Sequence, residues 1–279
     1  LGDRTKFDYS VGFVTEAKDQ LVPELEQLGC PVNWLSKDGE PWPRTITRAI
    51  RGGGFDIVHT HSPLAAAVVR AASRTMRHRP ALIYTEHNSW GAYRVPTRWA
   101  NALTYALEDS TIAVSAAARD SVPPLLRDRV HPIDHGIDLD AVRAHLDHRS
   151  TARERMGVDD DDVVIGIVAN MRPEKNHPGV LRAAGLVTGQ SSTARFVSIG
   201  QGPLLNEIMS LHASSGLGDR YQLMGHQPDA PSLMAGFDVF CLGSDWEGLP
   251  VSLMEARALG LPVVVTAVGG MVDHVVDGI

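Results

Sequence analysis

DVFCLGSDWEGLPVSLMEARALGLPVVVTA, residues 238–267, begins and ends in apolar runs. The runs at 238–244 and 262–267 predict two buried strands, and the stretch 250–259 between them predicts a helix. A proline at the first helical position and a glycine after the last one are typical helix boundaries. Parallel strands need a crossover connection of this kind. The segment therefore predicts an α/β fold with a parallel sheet.

The same alternation of strands and helices is predicted along the rest of the chain. Further strands are expected at 9–14, 31–35, 55–62, 81–87, 110–115, 130–134, 163–170, 194–200 and 221–225. Further helices are expected near 21–28, 44–51, 64–77, 97–107, 177–187, 203–215 and 229–236. Strands buried on both faces read as continuous apolar runs, so this pattern favours parallel βαβ units.

A charged segment, 138–162, separates two such series. It is predicted as a helix closed by Gly157, followed by an acidic run at 159–162. We interpret the acidic run as a solvated connection rather than a metal site. A boundary here gives domains 1–150 and 151–279. We expect two Rossmann-like, doubly wound parallel-sheet domains facing a cleft, with ligands at the carboxyl ends of the strands.

The composition is that of a globular protein with an acidic balance. Of 279 residues, 43% are apolar, and the net charge is −7. This charge argues against nucleic-acid binding as the main task, and no apolar run reaches the about 18 residues of a membrane-spanning helix. Cys30 and Cys241 lie far apart, so we expect two buried thiols in a reducing compartment. The chain starts at Leu1 and stops after a loop-like sequence, so we expect a fragment lacking both termini.

Two local patterns have ordinary structural interpretations. SIGQGPLLNEI (198–208) resembles part of a dinucleotide-binding fingerprint, but Leu205 occupies the third glycine position. We therefore predict a tight strand-to-helix turn rather than an NAD site. His59 and His61 share one face of a predicted strand. Because no third ligand has a recognisable spacing, we expect histidines bonded within the protein rather than a metal pair.

The loop in VANMRPEKNHPGVLRA (168–183) carries two cations just before a predicted helix. Arg172 and Lys175 follow a strand, and the helix begins near His177. Cations beside the exposed amides of a helix N-terminus suit a diphosphate. A solvated basic loop is the alternative that the sequence leaves open.

Two carboxylates flank the start of the helix in the opening segment. Glu247 and Gly248 lie at its N-terminus, where free amides can meet a phosphate and a carboxylate can accept a sugar hydroxyl. Glu255 lies about one and a half turns further along the helix, where it suits a vicinal diol such as a ribose. The alternatives are a capping role for Glu247 and simple surface exposure for Glu255.

These motifs together resemble a known family. The spacing of Glu247 and Glu255 is similar to the Glu-x7-Glu signature of retaining glycosyltransferases of the GT-B fold, in the family-four group. The blocks FDIVHTHS, YTEH, IAVSAAARD, HGID, RPEKN, IGQGPL and VGGMVDHVVDG follow in the order and spacing of that family. The resemblance covers nearly the whole chain, and the block around the two glutamates is its most specific part.

The resemblance implies roles for individual residues. Glu247 would contact donor-sugar hydroxyls, and Glu255 would bind the ribose. Lys175 and Arg172 would neutralise the diphosphate. The backbone amides of two further residues would touch the phosphates or the sugar, namely Gly248 and Leu249.

Three other positions follow from the same resemblance. Gly225, at a strand end, would lie by the base, and His87 would lie near the reacting centre. Asn170 stands among the donor-binding residues where the family usually has an arginine, and His135 stands where it usually has an asparagine. The family also implies an enzyme without metal.

The expected activity is sugar transfer from a nucleoside-diphosphate sugar to an acceptor hydroxyl with retention of anomeric configuration. We expect a UDP-sugar before a GDP-sugar, no cofactor, and a glycan, lipid-linked or small-molecule acceptor. The expected location is the cytoplasm, with peripheral association at the inner membrane face left open. A sugar-nucleotide epimerase on the same fold and a non-catalytic nucleotide-sugar-binding module are the alternatives.

Overall fold

The computed structural model describes residues 3–15, 21–36 and 39–278. The strands are β1 Val11–Phe13, β2 Val32–Trp34, β3 Ile57–Thr60, β4 Ala81–Glu86, β5 Ser110–Ala113, β6 Val130–Pro132, β7 Val163–Val168, β8 Ala194–Ile199, β9 Tyr221–Gly225, β10 Val239–Leu242 and β11 Val263–Val265. The helices are α1 Val22–Gln27, α2 Trp42–Gly52, α3 Pro63–Ser73, α4 Val95–Tyr105, α5 Ala116–Ser121, α6 Pro124–Arg127, α7 Leu139–Arg143, α8 Arg149–Met156, α9 His177–Gln190, α10 Leu205–Ser214, α11 Ala230–Met234, α12 Val251–Ala258 and α13 Met271–His274. Short 3-10 turns include Pro173–Lys175.

The chain forms two compact units, of which the first contains the described residues up to Glu86, Tyr93–Ile112 and Leu125–His131. In it β1 and β2 form a parallel pair, and β3, β4, β5 and β6 form a four-stranded sheet in that order. Helices α2 and α3 pack on this sheet. Their shared apolar core contains Ile46, Ile50, Val69 and Leu82.

The second unit contains His87–Ala92, Ala113–Pro124 and the described residues from Pro132 onward. Its five strands pair in parallel throughout, in the order β11-β10-β7-β8-β9. Apolar side chains fill both faces, which is why these strands read as continuous apolar runs. The most buried of them, at most 4% exposed, include Val164, Ile167, Phe196, Val197, Phe240 and Leu242.

The expected α/β fold, with parallel sheets in two Rossmann-like domains, is confirmed. Each predicted strand is present and lies within its predicted range. The domain boundary near residue 150 stays a prediction. Helix α13, Met271–His274, is absent from the sequence interpretation because four residues are too few to show a helical period.

The charged segment between the two series differs from its prediction. The single helix expected there is broken into α7, a 3-10 turn and α8, because the N–H groups of His145 and His148 donate to carbonyls three rather than four positions back. Gly157 closes α8 with φ of 62°. The acidic run is not a solvated connection throughout: Asp162 is buried, pairs with Arg195 at 3.2 Å and accepts from the backbone N–H of Asp159 at 3.0 Å.

Both cysteines are free, but only Cys30 is fully buried. Cys241 is half-buried, and burial raises the pKa of its thiol. Among the described residues, no helix combines the length and the apolar character that crossing a membrane requires.

Candidate functional site

The order of the five-stranded sheet reverses between β7 and β10. From β7 the chain runs outward through β8 and β9, and it then returns to the other side of β7 with β10 and β11. Loops that leave such a pair of strands in opposite directions open a crevice at their carboxyl ends, where doubly wound sheets bind ligands. The two loops here are 169–176 after β7 and 243–250 after β10.

An ion pair joins these two loops. The Lys175 ammonium contacts the Glu247 carboxylate, and the two side chains are only 18% and 9% exposed. The Ser244 hydroxyl donates to the same carboxylate oxygen, Oε1 of Glu247, at 2.7 Å. The capping alternative for Glu247 is wrong, because the N-cap of α12 is Pro250 and no side chain caps this helix. Glu247 instead forms an ion pair with Lys175, which is the only lysine that the described residues contribute to the crevice.

A second set of bonds fixes the backbone around Lys175. The Asp245 N–H donates to the Glu174 carbonyl at 2.8 Å, and the Asn176 side-chain amide donates to Asp245 Oδ1 at 3.1 Å. Asn176 Oδ1 accepts from the Gly179 N–H at 3.1 Å, which caps α9. Asn176 also has φ of 47°, in the left-handed region. These contacts define a loop latch, Asn176 with Asp245, that sets the position of Lys175.

Replacement of Asn176 by alanine is expected to lower the free energy of unfolding by about 2 kcal/mol, from the lost cap and from left-handed strain. Asn176→Gly is the matched control, because glycine tolerates this backbone conformation and should cost less than about 1 kcal/mol. Urea denaturation measures both changes. Equal losses in the two variants would show that the left-handed conformation carries no strain.

Glycines pack the segment after Glu247 against neighbouring backbone. A Cβ at Gly248 would overlap the His87 carbonyl oxygen, and both residues lie in the second unit. A Cβ at Gly269, which has φ of 55°, would overlap the carbonyl oxygen of Glu247. The Gly270 N–H donates to the Gly248 carbonyl at 2.7 Å. Two backbone segments therefore approach the loop too closely for any side chain.

Gly248→Ala is expected to lower the free energy of unfolding by about 2 kcal/mol, because the methyl group meets backbone that cannot move aside cheaply. Gly185→Ala, in α9 with open space around it, is the control and should instead stabilise by about 0.5–1 kcal/mol. Thermal unfolding of both variants checks the pair. Gly248→Ala with wild-type stability would contradict the close approach.

Glu255 lies in α12 as a half-buried carboxylate. Burial raises its pKa above the ordinary value for a glutamate. Within the described part of the chain, no group bonds this carboxylate. The alternative of a simply exposed helical residue is therefore wrong. A partly desolvated charge without a partner is typical of a binding position.

The remaining donor-side predictions lie in the same loops or at a strand end. Arg172 and Asn170 are exposed, and Arg172 has no side-chain partner among the described residues. The Asn170 carbonyl lies 3.2 Å from Nε2 of His177, a buried histidine whose pKa is lowered mainly by burial. Gly225 ends β9 with φ of 66°, and its carbonyl accepts from the Gly200 N–H at 2.8 Å.

The tight turn predicted after β8 is confirmed. A Cβ at Gly200 would overlap the Ala169 carbonyl oxygen, and one at Gly202 would crowd the Met171 carbonyl at 2.5 Å. The Met171 N–H donates to the Gln201 carbonyl at 3.0 Å. The two glycines let this turn pack against the loop that carries Lys175.

Comparison with known proteins identifies the family to which this chain belongs. Residues 148–279 match the profile of Glycosyl transferases group 1, and residues 7–141 match that of Glycosyltransferase Family 4. The chain belongs to the group 1 glycosyltransferases of the GT-B fold. The two matches together take in nearly all of it.

This glycosyltransferase is similar to EpsF of Bacillus subtilis, at 27% identity over 95% of this chain and 72% of EpsF. It is also similar to the UDP-Gal:alpha-D-GlcNAc-diphosphoundecaprenol alpha-1,3-galactosyltransferase of Escherichia coli, at 27% identity over 84% of this chain. The chain spans 64% of the length of that enzyme. Among solved structures, Anabaena HepE in complex with UDP-glucose superposes with a TM-score of 0.82 at 22% identity, over 97% of this chain and 76% of HepE. The last likeness establishes the fold.

Two histidine predictions of the glycosyltransferase remain. His59 Nε2 lies 2.7 Å from the Thr85 hydroxyl, so this histidine is bonded within the protein as expected, and burial lowers its pKa. Its ring packs against that of His61, with centroids 4.3 Å apart and the ring planes tilted by 34°. In the described ranges, no group of three or more His, Cys, Asp or Glu residues could hold a metal ion. His87 is half-buried directly after β4, and its backbone touches the Gly248 segment.

Three residues of the site were not singled out from the sequence: Ser244, Asp245 and Asn176. Asn176 had a usable signal, since asparagine directly before a helix is a preferred N-cap. Asp245 had none, because its partner Asn176 lies on the other loop, 69 positions away. Ser244 lies on the same loop as its partner Glu247, three positions before it, but an irregular loop has no period that would reveal the contact.

Proposed function

We propose that this chain transfers a sugar from a nucleoside-diphosphate sugar to an acceptor hydroxyl with retention of anomeric configuration. The observation that carries the proposal is the Lys175–Glu247 pair at the point where strand order reverses, with an unpartnered Glu255 on the helix that follows. In this proposal one crevice combines a cation, Lys175, with a carboxylate that can accept the hydroxyl groups of a sugar, Glu247, and with a second carboxylate, Glu255.

The diphosphate is the part of the donor that gains charge as it leaves. Lys175 and the exposed Arg172 offer two cations to it. The N–H groups of Gly248 and Leu249 have no protein acceptor among the described residues, although both residues are buried. Fixed donors aimed at a developing negative charge lower the barrier without reorganisation. In our proposal these four groups stabilise the leaving nucleoside diphosphate.

The two carboxylates would recognise the hydroxyl groups of the donor. Glu255 accepts from the ribose diol, which gives its partly buried charge the hydrogen bonds that the protein does not supply. Glu247, held by Lys175 and Ser244, keeps its second oxygen for a hydroxyl of the transferred sugar. Gly225 at the end of β9 leaves room for the base.

Retention follows in this proposal from attack on the face that the phosphate leaves. The bond between the anomeric carbon and the phosphate oxygen breaks, and a bond to the acceptor oxygen forms on the same side. The departing phosphate takes the acceptor proton. His87 would orient the reacting sugar rather than act as the base.

Two similar proteins support a UDP-sugar as the first candidate donor, and a GDP-mannose-dependent mannosyltransferase of Mycolicibacterium smegmatis, at 28% identity, keeps a GDP-sugar as the next. The E. coli relative uses UDP-Gal by its name, and HepE is solved with UDP-glucose. The E. coli acceptor is a lipid diphosphate, which keeps a lipid-linked acceptor beside a glycan or a small molecule. A cytoplasmic location is part of the proposal.

A donor panel tests the proposal. The full chain is incubated with UDP-, GDP- and ADP-sugars, and the released nucleoside diphosphate is measured with and without candidate acceptors. NMR of the product gives the anomeric configuration. We expect release from a UDP-sugar and a retained anomer. Free epimerised sugar nucleotide without acceptor would indicate an epimerase, and tight binding without any release would indicate a binding module.

A further inference from the structure

His177 is a buried histidine at the start of α9, next to the loop that carries both cations of the crevice. Its side chain is only 1% exposed. Its Nε2 lies 3.2 Å from the carbonyl oxygen of Asn170, the second residue after β7. Since a carbonyl oxygen only accepts, Nε2 carries the proton and donates it. The bond therefore joins the two ends of the segment 170–177, which contains Arg172 and Lys175.

The Asn170 carbonyl accepts a second bond within this segment. The Arg172 N–H donates to it at 2.9 Å, and the Lys175 N–H donates to the Arg172 carbonyl at 3.0 Å. These backbone bonds connect both cations to the one oxygen that His177 holds. A rotation of the peptide plane after Asn170 would therefore shift the backbone from which Arg172 and Lys175 extend.

The backbone of 169–172 receives one side-chain bond from the described residues, and His177 supplies it. Its other bonds are with main chain, as at Met171. The Met171 N–H donates to the Gln201 carbonyl at 3.0 Å, and the Met171 carbonyl accepts from the Leu204 N–H at 3.1 Å. Such backbone bonds do not depend on which side chains stand at these positions. The side chain at position 177 is therefore the one that controls the conformation of this end of the loop.

A histidine at this buried position is not explained by stability alone. Burial lowers the pKa of His177, while its bond to the Asn170 carbonyl raises it and the charge of Lys175 lowers it again. The net shift is downward, so the ring is neutral at pH 7. A buried polar ring costs free energy that an apolar side chain of similar size would not cost. The N–H group is the property that the apolar side chain would lack.

We propose that His177 is a positioning residue, which fixes the loop so that Arg172 and Lys175 reach the diphosphate of the donor. It acts through the Asn170 carbonyl and does not itself contact the nucleotide, because its side chain is buried. The inference rests on the proposed function, since it takes the two cations to bind a diphosphate. Misplacement of such groups by about 1 Å can cost about 100-fold in rate.

Glutamine and asparagine at position 177 separate the N–H group from the packing of the ring. The amide nitrogen of glutamine reaches as far from the backbone as Nε2 of histidine, and that of asparagine only as far as Nδ1. We expect His177→Gln to bind UDP within about twofold of the wild type, and His177→Asn to bind it about tenfold more weakly. UMP lacks the second phosphate, so its binding should weaken less than about threefold in His177→Asn. Calorimetric titration gives both affinities and their ratio.

His212→Asn is the matched control. His212 in α10 also bonds a backbone carbonyl through Nε2, that of Gly218 at 3.2 Å, and it lies outside the two crevice loops. The same substitution there should leave the affinity for UDP, and its ratio to that for UMP, unchanged. Urea denaturation of all variants measures what each substitution costs in stability. If His177→Asn does not fold, His177→Phe replaces it, because phenylalanine keeps a ring and lacks the N–H group.

An unchanged ratio of UDP to UMP affinity in His177→Asn would overturn the proposal. So would an equal loss of UDP binding in His177→Gln and His177→Asn, which would assign the residue to packing alone. A wild type that binds no nucleoside diphosphate would contradict the proposed function itself, and the inference would fall with it. The two failures are distinguishable, because only failure of the inference alone leaves UDP binding by the wild type intact.

Discussion

Replacement of Lys175 by methionine is expected to reduce sugar transfer by about 10²–10³-fold, because the leaving diphosphate loses the cation held at the crevice. The same change leaves Glu247 without its ion-pair partner at 9% exposure. An uncompensated carboxylate at such a position should lower the free energy of unfolding by about 2 kcal/mol. Activity and stability must therefore be measured together.

The double variant Lys175→Met/Glu247→Gln separates the two effects. Removing both charges should restore most of the lost stability, since no carboxylate is left unpaired, while transfer stays at least as strongly reduced as in Lys175→Met. Arg172→Gln is the control for removal of a cation without loss of stability. This exposed arginine has no side-chain partner within the described ranges, so its replacement should leave the free energy of unfolding unchanged. Near-normal turnover by Lys175→Met would contradict the proposal that this lysine binds the diphosphate.

The second large effect is expected from Glu255→Gln. Loss of two charged hydrogen bonds to a ribose, at roughly 1.5 kcal/mol each, should weaken binding of UDP by about 100-fold. Calorimetric titration of the full chain measures the change. Asp273→Asn, a substitution in α13 on an exposed residue, is a control for removal of a carboxylate from the same unit and should bind UDP like the wild type.

The stability of the Glu255 variant should change in the opposite direction. Burial raises the pKa of Glu255, so the folded chain binds this proton more readily than the unfolded chain. The difference between the folded and unfolded pKa of Glu255 adds to the free energy of unfolding. This contribution is complete below the ordinary glutamate pKa and is lost as pH rises through the raised pKa of the folded state. At neutral pH the ionised carboxylate opposes folding, and glutamine removes this opposition.

We therefore expect Glu255→Gln to be more stable than the wild type at pH 7, with the gain shrinking as pH falls toward about 4. Urea denaturation across this range checks it. A variant that binds UDP poorly and unfolds more easily at every pH would indicate a structural role for Glu255 instead. A lower affinity for UDP together with a higher free energy of unfolding is the result expected if Glu255 serves binding at a cost in stability.

The fold could be predicted from the sequence because its strands are buried on both faces. The run 163–168 is apolar throughout, and 194–199 is apolar except for Arg195 and Ser198, so both stand apart from the amphipathic helices between them. The break in the linker helix could not be predicted, since no proline or glycine marks it and it consists only of a turn of bonds to carbonyls three positions back at His145 and His148. The outward apolar side of α4 also escaped prediction, because the periodicity of Val95, Trp99 and Leu103, all of them exposed, indicates a core face.

Part of the candidate site could be predicted, because Glu247, Glu255 and Lys175 stand in local motifs whose spacing is visible in the sequence. Whether Lys175 and Glu247 meet depends on β7 and β10 being neighbours, which is a property of strand order. The support that Ser244 gives to Glu247 is local, since the two residues are three positions apart, but it depends on a loop conformation that no sequence period shows.

The most direct test of the account is a titration with UDP and with its 2′,3′-dideoxy analogue, on the wild type and on Glu255→Gln. If Glu255 binds the ribose diol in the crevice beside β7, the wild type should prefer UDP by about 100-fold and the variant should bind both ligands alike. A variant that still prefers UDP by the wild-type margin would contradict the account.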